Sequence, residues 1–451
     1  MTASEIFIIT AQFLLSLSLL IILHEAGHFV PARIFKMRVE KFFLFFDVKF
    51  ALLKKKVGDT VYGIGWLPLG GYVKISGMID ESMDKEAMAL PPQPWEFRSK
   101  PAWQRLIVML GGVIVNFVLA WLIYVAMMFT WGEQVFTTEN AGDAMMVSDF
   151  MTEKTGLQTG DQIVAIDGEK YEKFQDAIQN VFMAEQVDVL RNGQPIHLDI
   201  PVDFLGQLVD ANDSIRPVSL RRAFVISEIP DTSANANSGL LVNDIIVDVD
   251  NQGFRYHDQI TAYLNTHTNA TVKATVLRDG QTQSLDIFTG ETGKLGIIVG
   301  GASLEDLGKL GFYEHSIKEY SFGESFGAGS RKFVGQFKSF GRQLKLIVNP
   351  NTGAYKGLGS FISIAKIFPT TWNWEVFWRI TAFLSIMLGV LNLLPIPALD
   401  GGHAMFLIYE MIAGKKPGDK FMEYAQVVGF ILLICLFVFA FGNDIYRHFI
   451  K

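Results

Sequence analysis

The run Ile6-Phe-Ile-Ile-Thr-Ala-Gln-Phe-Leu-Leu-Ser-Leu-Ser-Leu-Leu-Ile-Ile-Leu23 leads without a break into His24-Glu25-Ala26-Gly27-His28, and this junction decides how the chain is read. From Ile6 to Leu23 there is no Asp, Glu, Lys or Arg. At about 1.5 Å per helical residue such a run reaches across most of a hydrocarbon core of roughly 30 Å. Three more uncharged runs follow, Leu106 to Gly132, Ile380 to Leu399 and Tyr424 to Gly442, each at least as long as the first. They explain why a chain of 451 residues is half hydrophobic and only 19% charged, against about 25% in soluble domains. The pattern predicts a polytopic α-helical membrane protein with four transmembrane helices. A single soluble core is excluded. A disulfide-stapled secreted domain is excluded too, because the one cysteine, Cys435, lies inside the fourth run. Ahead of the first run stands Glu5 with no Lys or Arg, and no small-residue cleavage site follows, so it reads as a retained helix.

Charge sets the expected orientation. Pro31 to Ala102 holds 12 Lys or Arg against 8 acids, whereas Met1 to Ala32 holds no Lys or Arg. Lys415, Lys416 and Lys420 fall in the short connection after Asp400. By the positive-inside tendency both loops face the cytoplasm, which leaves both termini and the long segment Glu133 to Arg379 outside. Residues 131–375 hold 20 bases and 31 acids, a balance that argues against nucleic acid as a partner.

Two phrases recur within that acidic segment. Gly156-Leu-Gln-Thr-Gly-Asp-Gln-Ile-Val-Ala-Ile-Asp167 returns as Gly239-Leu-Leu-Val-Asn-Asp-Ile-Ile-Val-Asp-Val-Asp250, and Val189-Leu-Arg-Asn-Gly-Gln194 returns as Val276-Leu-Arg-Asp-Gly-Gln281. The same order at nearly equal offsets implies a duplicated module of roughly 85 residues. Asn192-Gly193 and Asp279-Gly280 are two-residue hairpin turns after β-branched runs, so each module is mainly strand. Helix-like stretches lie between the phrases, at Lys173 to Phe182 and His257 to Asn265. The Gly-Leu-x-x-Gly-Asp-x-Ile phrase resembles that of a PDZ domain, with Asn243 in the second copy where Gly stands in the first; Asn tolerates the left-handed geometry. Such domains capture an extended peptide or chain end on a sheet edge, or act as a spacer that excludes bulky partners. Further on, Phe333, Phe337, Phe340, Leu344, Ile347 and Val348 form an apolar stripe with Lys332, Lys338, Arg342 and Lys345 on other faces, the composition of a helix lying in the membrane interface.

His24 and His28 stand at i and i+4, on one face of a helix, where two imidazoles converge on one zinc and Glu25 sits beside them as general base. Ionisable groups near the bilayer centre cost of order 3 kcal/mol each, and zinc binding, worth about 10 kcal/mol or more where ligands converge, offsets that cost. Catalytic zinc takes three protein ligands and keeps one open position. The third run ends in Asn392-Leu-Leu-Pro395-Ile-Pro397-Ala-Leu-Asp400-Gly401-Gly402-His403. Its prolines break the helix, its glycines admit close backbone approach, and it offers Asp400 or His403 as the third ligand.

The His-Glu-x-x-His of the first run, the Asn-x-x-Pro-x-Pro-x-Leu-Asp-Gly-Gly-His phrase of the third and the PDZ-like repeats together resemble the site-2 protease family, over nearly the whole chain. The resemblance implies an intramembrane zinc metalloprotease of the M50 type in a bacterial inner membrane. Carried over position by position, it makes His24, His28 and Asp400 the ligands of one Zn2+, Glu25 the base, and Asn392, Pro395 and Pro397 neighbours of the substrate strand. Gly65-Trp-Leu-Pro-Leu-Gly-Gly71-Tyr72-Val-Lys74 resembles the family's membrane-associated β-element, which is thought to pair with an unwinding substrate. Gly112-Val-Ile-Val-Asn116-Phe117 resembles a Gly-Pro-x-x-Asn-Phe phrase, with Val113 in place of the proline.

The expected organisation is a first transmembrane helix in 1–32, a cytoplasmic loop with the β-element in 33–102, a second helix in 103–132, PDZ-like domains in 133–218 and 219–305, and a linker with the interfacial helix in 306–375. A third helix in 376–400, a cytoplasmic loop in 401–420 and a fourth helix in 421–445 complete it. The expected partners are the lipid bilayer and single-pass membrane proteins already trimmed by an earlier cut, of the anti-sigma-factor or signal-peptide-remnant type, with peptides or chain ends on the PDZ-like domains. The rival reading is a noncatalytic membrane scaffold whose PDZ-like domains bind envelope peptides.

Overall fold

A computed structural model describes residues 2–78, 91–211, 217–300 and 316–447. The expected boundary at 305/306 lies outside the described residues. The chain divides into two compact units: Met1–Gly132 with Glu319–Leu344 and Leu358–Lys451, and Glu133–Lys318 with Lys345–Gly357.

In the first unit, α1 (Ala3–Ile34) opens with a capping box in which the Thr2 side chain accepts from the Glu5 amide and the Glu5 carboxylate accepts from the Thr2 amide. A four-stranded sheet follows: β1 (Val39–Leu44), β2 (Phe46–Val57), β3 (Thr60–Leu67) and β4 (Tyr72–Ile75), in the order β2-β3-β1-β4. β1 is parallel to β3 and antiparallel to β4. Among the described residues β4 pairs with β1 alone and forms one edge of the sheet. Next comes α2 (Ala102–Thr130). This helix, α1 and two later ones are long and apolar enough to cross a membrane, by length and composition.

α1 and α2 cross with their backbones in contact. A Cβ on Gly111 would stand 1.9 Å from the Gly27 carbonyl oxygen, and one on Gly27 would stand 2.4 Å from that of Gly111. Small residues at such crossings let helices pack where lipid gives no hydrophobic drive between them. One hydroxyl pair on these helices is matched internally, as an apolar surrounding favours. Ser16 donates to Thr381 (2.9 Å), whose own hydroxyl donates to the Phe377 carbonyl.

In the second unit, the first repeat has β5 (Gln162–Ile166), α3 (Phe174–Val181), β6 (Gln186–Arg191) and β7 (Gln194–Asp199), with sheet order β5-β6-β7. The second has β8 (Phe224–Glu228), β9 (Ile245–Val249), α4 (His257–Asn265), β10 (Thr271–Arg278), β11 (Gln281–Phe288) and β12 (Ile298–Gly300), with sheet order β11-β10-β9-β8-β12. Both hairpin turns have positive φ at their two central residues: 52° and 78° at Asn192 and Gly193, 48° and 79° at Asp279 and Gly280. Asn243 takes φ 73° where Gly160 takes 91°, so the turn survives the replacement.

The repeated phrases turn out to encode one ion pair twice. Arg191 donates through Nε and Nη2 to the two oxygens of Asp161 (2.8 Å each) and through Nη2 to the Gly156 carbonyl (2.7 Å). Arg278 makes the same three bonds to Asp244 (2.7 and 2.6 Å) and Gly239 (2.8 Å). Both aspartates are almost wholly buried. Removing the arginine takes two donors from a buried carboxylate, so Arg278→Ala is expected to lower amide protection throughout the second repeat. Amide hydrogen exchange across Phe224–Phe288 measures it; unchanged protection there contradicts the prediction.

The two repeats meet at Arg221. Its guanidinium donates to Asp258 (2.6 Å) and Asp143 (3.3 Å) and stacks on the Tyr256 ring at 4.0 Å, while the Tyr256 hydroxyl donates to Asp143 (2.7 Å). Ala223, Ile245 and Tyr256 of the second repeat are buried in the core of the first.

The first unit also holds four longer helices: α5 (Phe322–Val348), whose last residues belong to the second unit, α6 (Trp374–Leu393), α7 (Asp400–Ala413) and α8 (Asp419–Ile445). The expected apolar stripe lies on α5 but faces protein at its aromatics. Phe333 and Phe337 pack edge-on against Phe117 of α2, and Phe340 against Phe383 of α6. An amphipathic pattern reports one apolar face and not what covers it; here α2 and α6 cover part of the stripe, while Phe337 and Val348 stay exposed. The stretch 401–420, expected as a loop, is helical as far as Ala413. Ala, Leu, Met and Ile favour helix, and Gly414, at φ 68°, ends it.

Candidate metal centre

The site is assembled from three helices and the loop that breaks one of them. His24 and His28 lie buried on one face of α1, rings edge-on with centroids 4.8 Å apart. Opposite them α6 stops at Leu393. The chain then turns through Leu394–Leu399, with Ala398 at φ 80°, a conformation costly for a residue with a Cβ. Asp400 emerges as the first residue of α7. Gly401 and Gly402 permit this turn: a Cβ on either would meet the carbonyl oxygens of Leu393 and Ile396 at 2.3 and 2.5 Å.

Three atoms then converge. His24 Nε2, His28 Nε2 and Asp400 Oδ2 form a nearly equilateral triangle with sides of 3.3, 3.3 and 3.4 Å. A tetrahedral ion held at about 2.0–2.1 Å by each ligand separates its ligand atoms by about 3.3–3.4 Å. Asp400 Oδ2 is shielded from solvent and receives no hydrogen bond, a costly state for a carboxylate oxygen with no cation to face. Two imidazoles and a carboxylate are the nitrogen and oxygen donor set that zinc accepts. These residues fit one zinc ion.

The surroundings orient the imidazoles. His28 Nδ1 meets the Val108 carbonyl at 2.8 Å, His24 Nδ1 meets the Asn116 amide at 3.1 Å, and Asn392 Nδ2 stands 3.3 Å from His24 Nε2. Gly112 leaves room for both rings, since a Cβ there would lie 2.5 Å from His28 Nε2 and 2.6 Å from His24 Cε1. Gly112→Ala is therefore expected to weaken zinc retention by at least the 10–100-fold typical of disturbed supporting contacts. Zinc content after dialysis against a chelator checks it; wild-type content would count against the crossing as a determinant of the site.

Glu25 is buried beside the two histidines. Gly71 brings the start of β4 against it: a Cβ on Gly71 would lie 3.3 Å from Glu25 Cγ and 2.5 Å from Ile21 Cγ2. The Tyr72 side chain is directed elsewhere, stacked on Phe43 and Phe46 and donating to Asp47 (2.8 Å). What β4 offers at this point is its backbone. Pro395 is exposed, and Pro397 packs on α8, where a Cβ on Gly429 would touch its carbonyl oxygen. His403, the rival third ligand, stays out of the cluster, and its Nε2 meets Gln426 of α8 at 3.2 Å. Sequence reasoning assigned no role to Asn116, Gly111 or Val108. A polar residue and paired glycines inside an uncharged span were the available signal.

A buried His-Glu-x-x-His helix met by an aspartate from the start of a second helix, among helices long and apolar enough to cross a membrane, is the arrangement of a metallopeptidase. The chain belongs to peptidase family M50, whose model matches residues 12–436. The regulator of sigma E protease of Salmonella typhi is 28% identical over 462 residues, covering 97% of this chain and 98% of that protein. The corresponding Escherichia coli K12 protein is 27% identical, covering 97% and 98%. A Vibrio cholerae protein whose name describes a zinc metalloprotease is 27% identical, covering 96% and 98%. This chain is thus a site-2-type zinc metalloprotease. Among solved structures, the PDZ domain of an SdrC-like protein from Listeria monocytogenes is 20% identical, covers 19% of this chain and 92% of its own, and has a TM-score of 0.16, too low to define a fold.

Proposed function

We propose that the protein hydrolyses a peptide bond in the transmembrane segment of single-pass membrane proteins that an earlier cut has already trimmed. The observation that carries the reading is the buried triangle of His24, His28 and Asp400 with Glu25 and the edge strand β4 beside it. A helix inside lipid keeps its carbonyls bonded internally, so a substrate must unwind and find another backbone partner. β4 from Gly71 and Tyr72 onward offers that partnership by strand addition. Asn392 donates through Nδ2 to a carbonyl of the extended segment, and the loop holding Pro395 and Pro397 borders it.

His24, His28 and Asp400 hold one zinc ion. When bound, zinc supplies Lewis-acid polarisation of the scissile carbonyl and activation of water. Glu25 takes a proton from the attacking water on its carboxylate and returns it to the departing amine nitrogen.

The organisation that supports this activity is the one expected from charge: four crossings in an inner bacterial membrane, both termini and two PDZ-like domains on the outer, periplasmic side, and the site toward the cytoplasm. The domain limits proposed are those of the sequence reading, with α7 inside the last cytoplasmic connection. The acidic PDZ-like domains bind peptides or chain ends, or exclude proteins with bulky outer portions. Relatives are named for regulation of sigma E, and an anti-sigma factor or a signal-peptide remnant is the substrate class proposed here.

The test is trapping on the Glu25→Gln variant in native membranes, followed by mass spectrometry. Trapped single-pass proteins with shortened outer domains support the reading. Trapping of soluble proteins or of full-length precursors alone contradicts it.

A further inference from the structure

Both imidazoles turn Nε2 toward the triangle. A neutral imidazole carries one N–H, so a ring that offers the Nε2 lone pair to a metal must hold its proton on Nδ1 and needs an acceptor there. His28 has one that permits no ambiguity, because the Val108 carbonyl at 2.8 Å only accepts. His24 has instead the side-chain amide of Asn116 at 3.1 Å. Asn116 has no solvent exposure and sits on α2 one turn beyond the Gly27/Gly111 crossing. Its backbone is pinned as well, its carbonyl accepting from Ser385 of α6 at 2.8 Å.

An amide is unlike a backbone carbonyl in having two faces. With its nitrogen toward the ring it donates to a bare Nδ1. After a half-turn about its terminal torsion, its oxygen accepts from Nδ1–H; the two arrangements have nearly the same shape. In the present arrangement the Asn116 oxygen is buried and has no partner. A leucine would fill this volume without burying an unmatched polar group, so the amide demands a reason.

We infer that Asn116 is a positioning residue whose side-chain oxygen accepts from His24 Nδ1–H and so holds His24 in the tautomer that binds zinc through Nε2. The inference rests on the reading of His24 as a zinc ligand. A carboxylate at this position accepts but cannot donate, and it keeps the amide's shape. Asparagine has the same acceptor without a second negative charge beside Asp400.

The experiment measures zinc affinity of the purified full-length protein against a competing chelator, for the wild type, Asn116→Leu and Asn116→Asp. Asn116→Leu is expected to bind zinc 10–100-fold more weakly, the range for lost supporting contacts. Asn116→Asp is expected to bind as tightly as the wild type or more tightly. A volume or packing role moves both variants alike, and a donor role makes Asp as poor as Leu. Wild-type affinity in Asn116→Leu, or an equal loss in both variants, overturns the inference while leaving the zinc reading intact. If Asn116→Leu does not fold, a tenfold or greater loss in Asn116→Asp overturns it alone. A wild-type protein that binds no zinc refutes the zinc reading and this inference with it.

Discussion

Glu25→Gln is expected to retain one zinc per chain and to lose peptide-bond cleavage by at least about 100-fold, the lower end of what a positioned general base contributes. The amide has the volume of the carboxyl group, so the packing of β4 against this side chain through Gly71 is preserved. What it lacks is the capacity to take a proton from water at neutral pH. Metal analysis and cleavage of a model transmembrane substrate, made on one preparation, separate the two properties. Retained cleavage would remove Glu25 from the chemistry. Loss of metal along with cleavage would mean that the residue supports the ligands.

Asp400→Asn carries the next largest effect. It removes the one negative ligand while keeping the side-chain shape, and zinc affinity should fall by more than the 10–100-fold typical of supporting contacts, because a ligand atom itself is changed. Activity should fall in proportion to metal lost and return in part at high zinc concentration. Zinc titration against a chelator is the measurement. Unchanged affinity would exclude Asp400 from the ligand set and bring His403 back into question, although its ring nitrogen is engaged by Gln426.

Much of the site was legible because its main motif is local. His24, Glu25 and His28 owe their arrangement to the pitch of one helix, and any reader of i and i+4 spacing recovers it. The third ligand was ambiguous because Asp400 and His403 lie one turn apart. Only the loop, with its left-handed Ala398, decides which of them faces the histidines. The four apolar spans were visible as absences of charge. The environment of the aromatic stripe on α5 was not, since periodicity is the same whether the face meets lipid or Phe117. In the repeats, the recurring Gly, Asp and Arg marked the duplication, while their reason for recurring, an arginine bonded to a buried aspartate and a glycine carbonyl, required coordinates. Asn116 was read only as part of a resemblance, because a hydrogen bond between residues 92 positions apart leaves no spacing to detect.

The Arg221 junction bears on how the duplicated segment came to be one object. A boundary drawn at 218/219 separates two copies of a sequence, yet it leaves Ala223, Ile245 and Tyr256 on the wrong side of the first copy's core and removes the arginine that satisfies Asp143. A fragment ending there would expose apolar surface and forfeit its partner's contribution, as a terminal repeat does when its neighbour is cut away. Ancestry and folding therefore divide this region differently. The two copies share a core and the Arg221 ion pairs, so packing crosses the line that separates the repeated sequences.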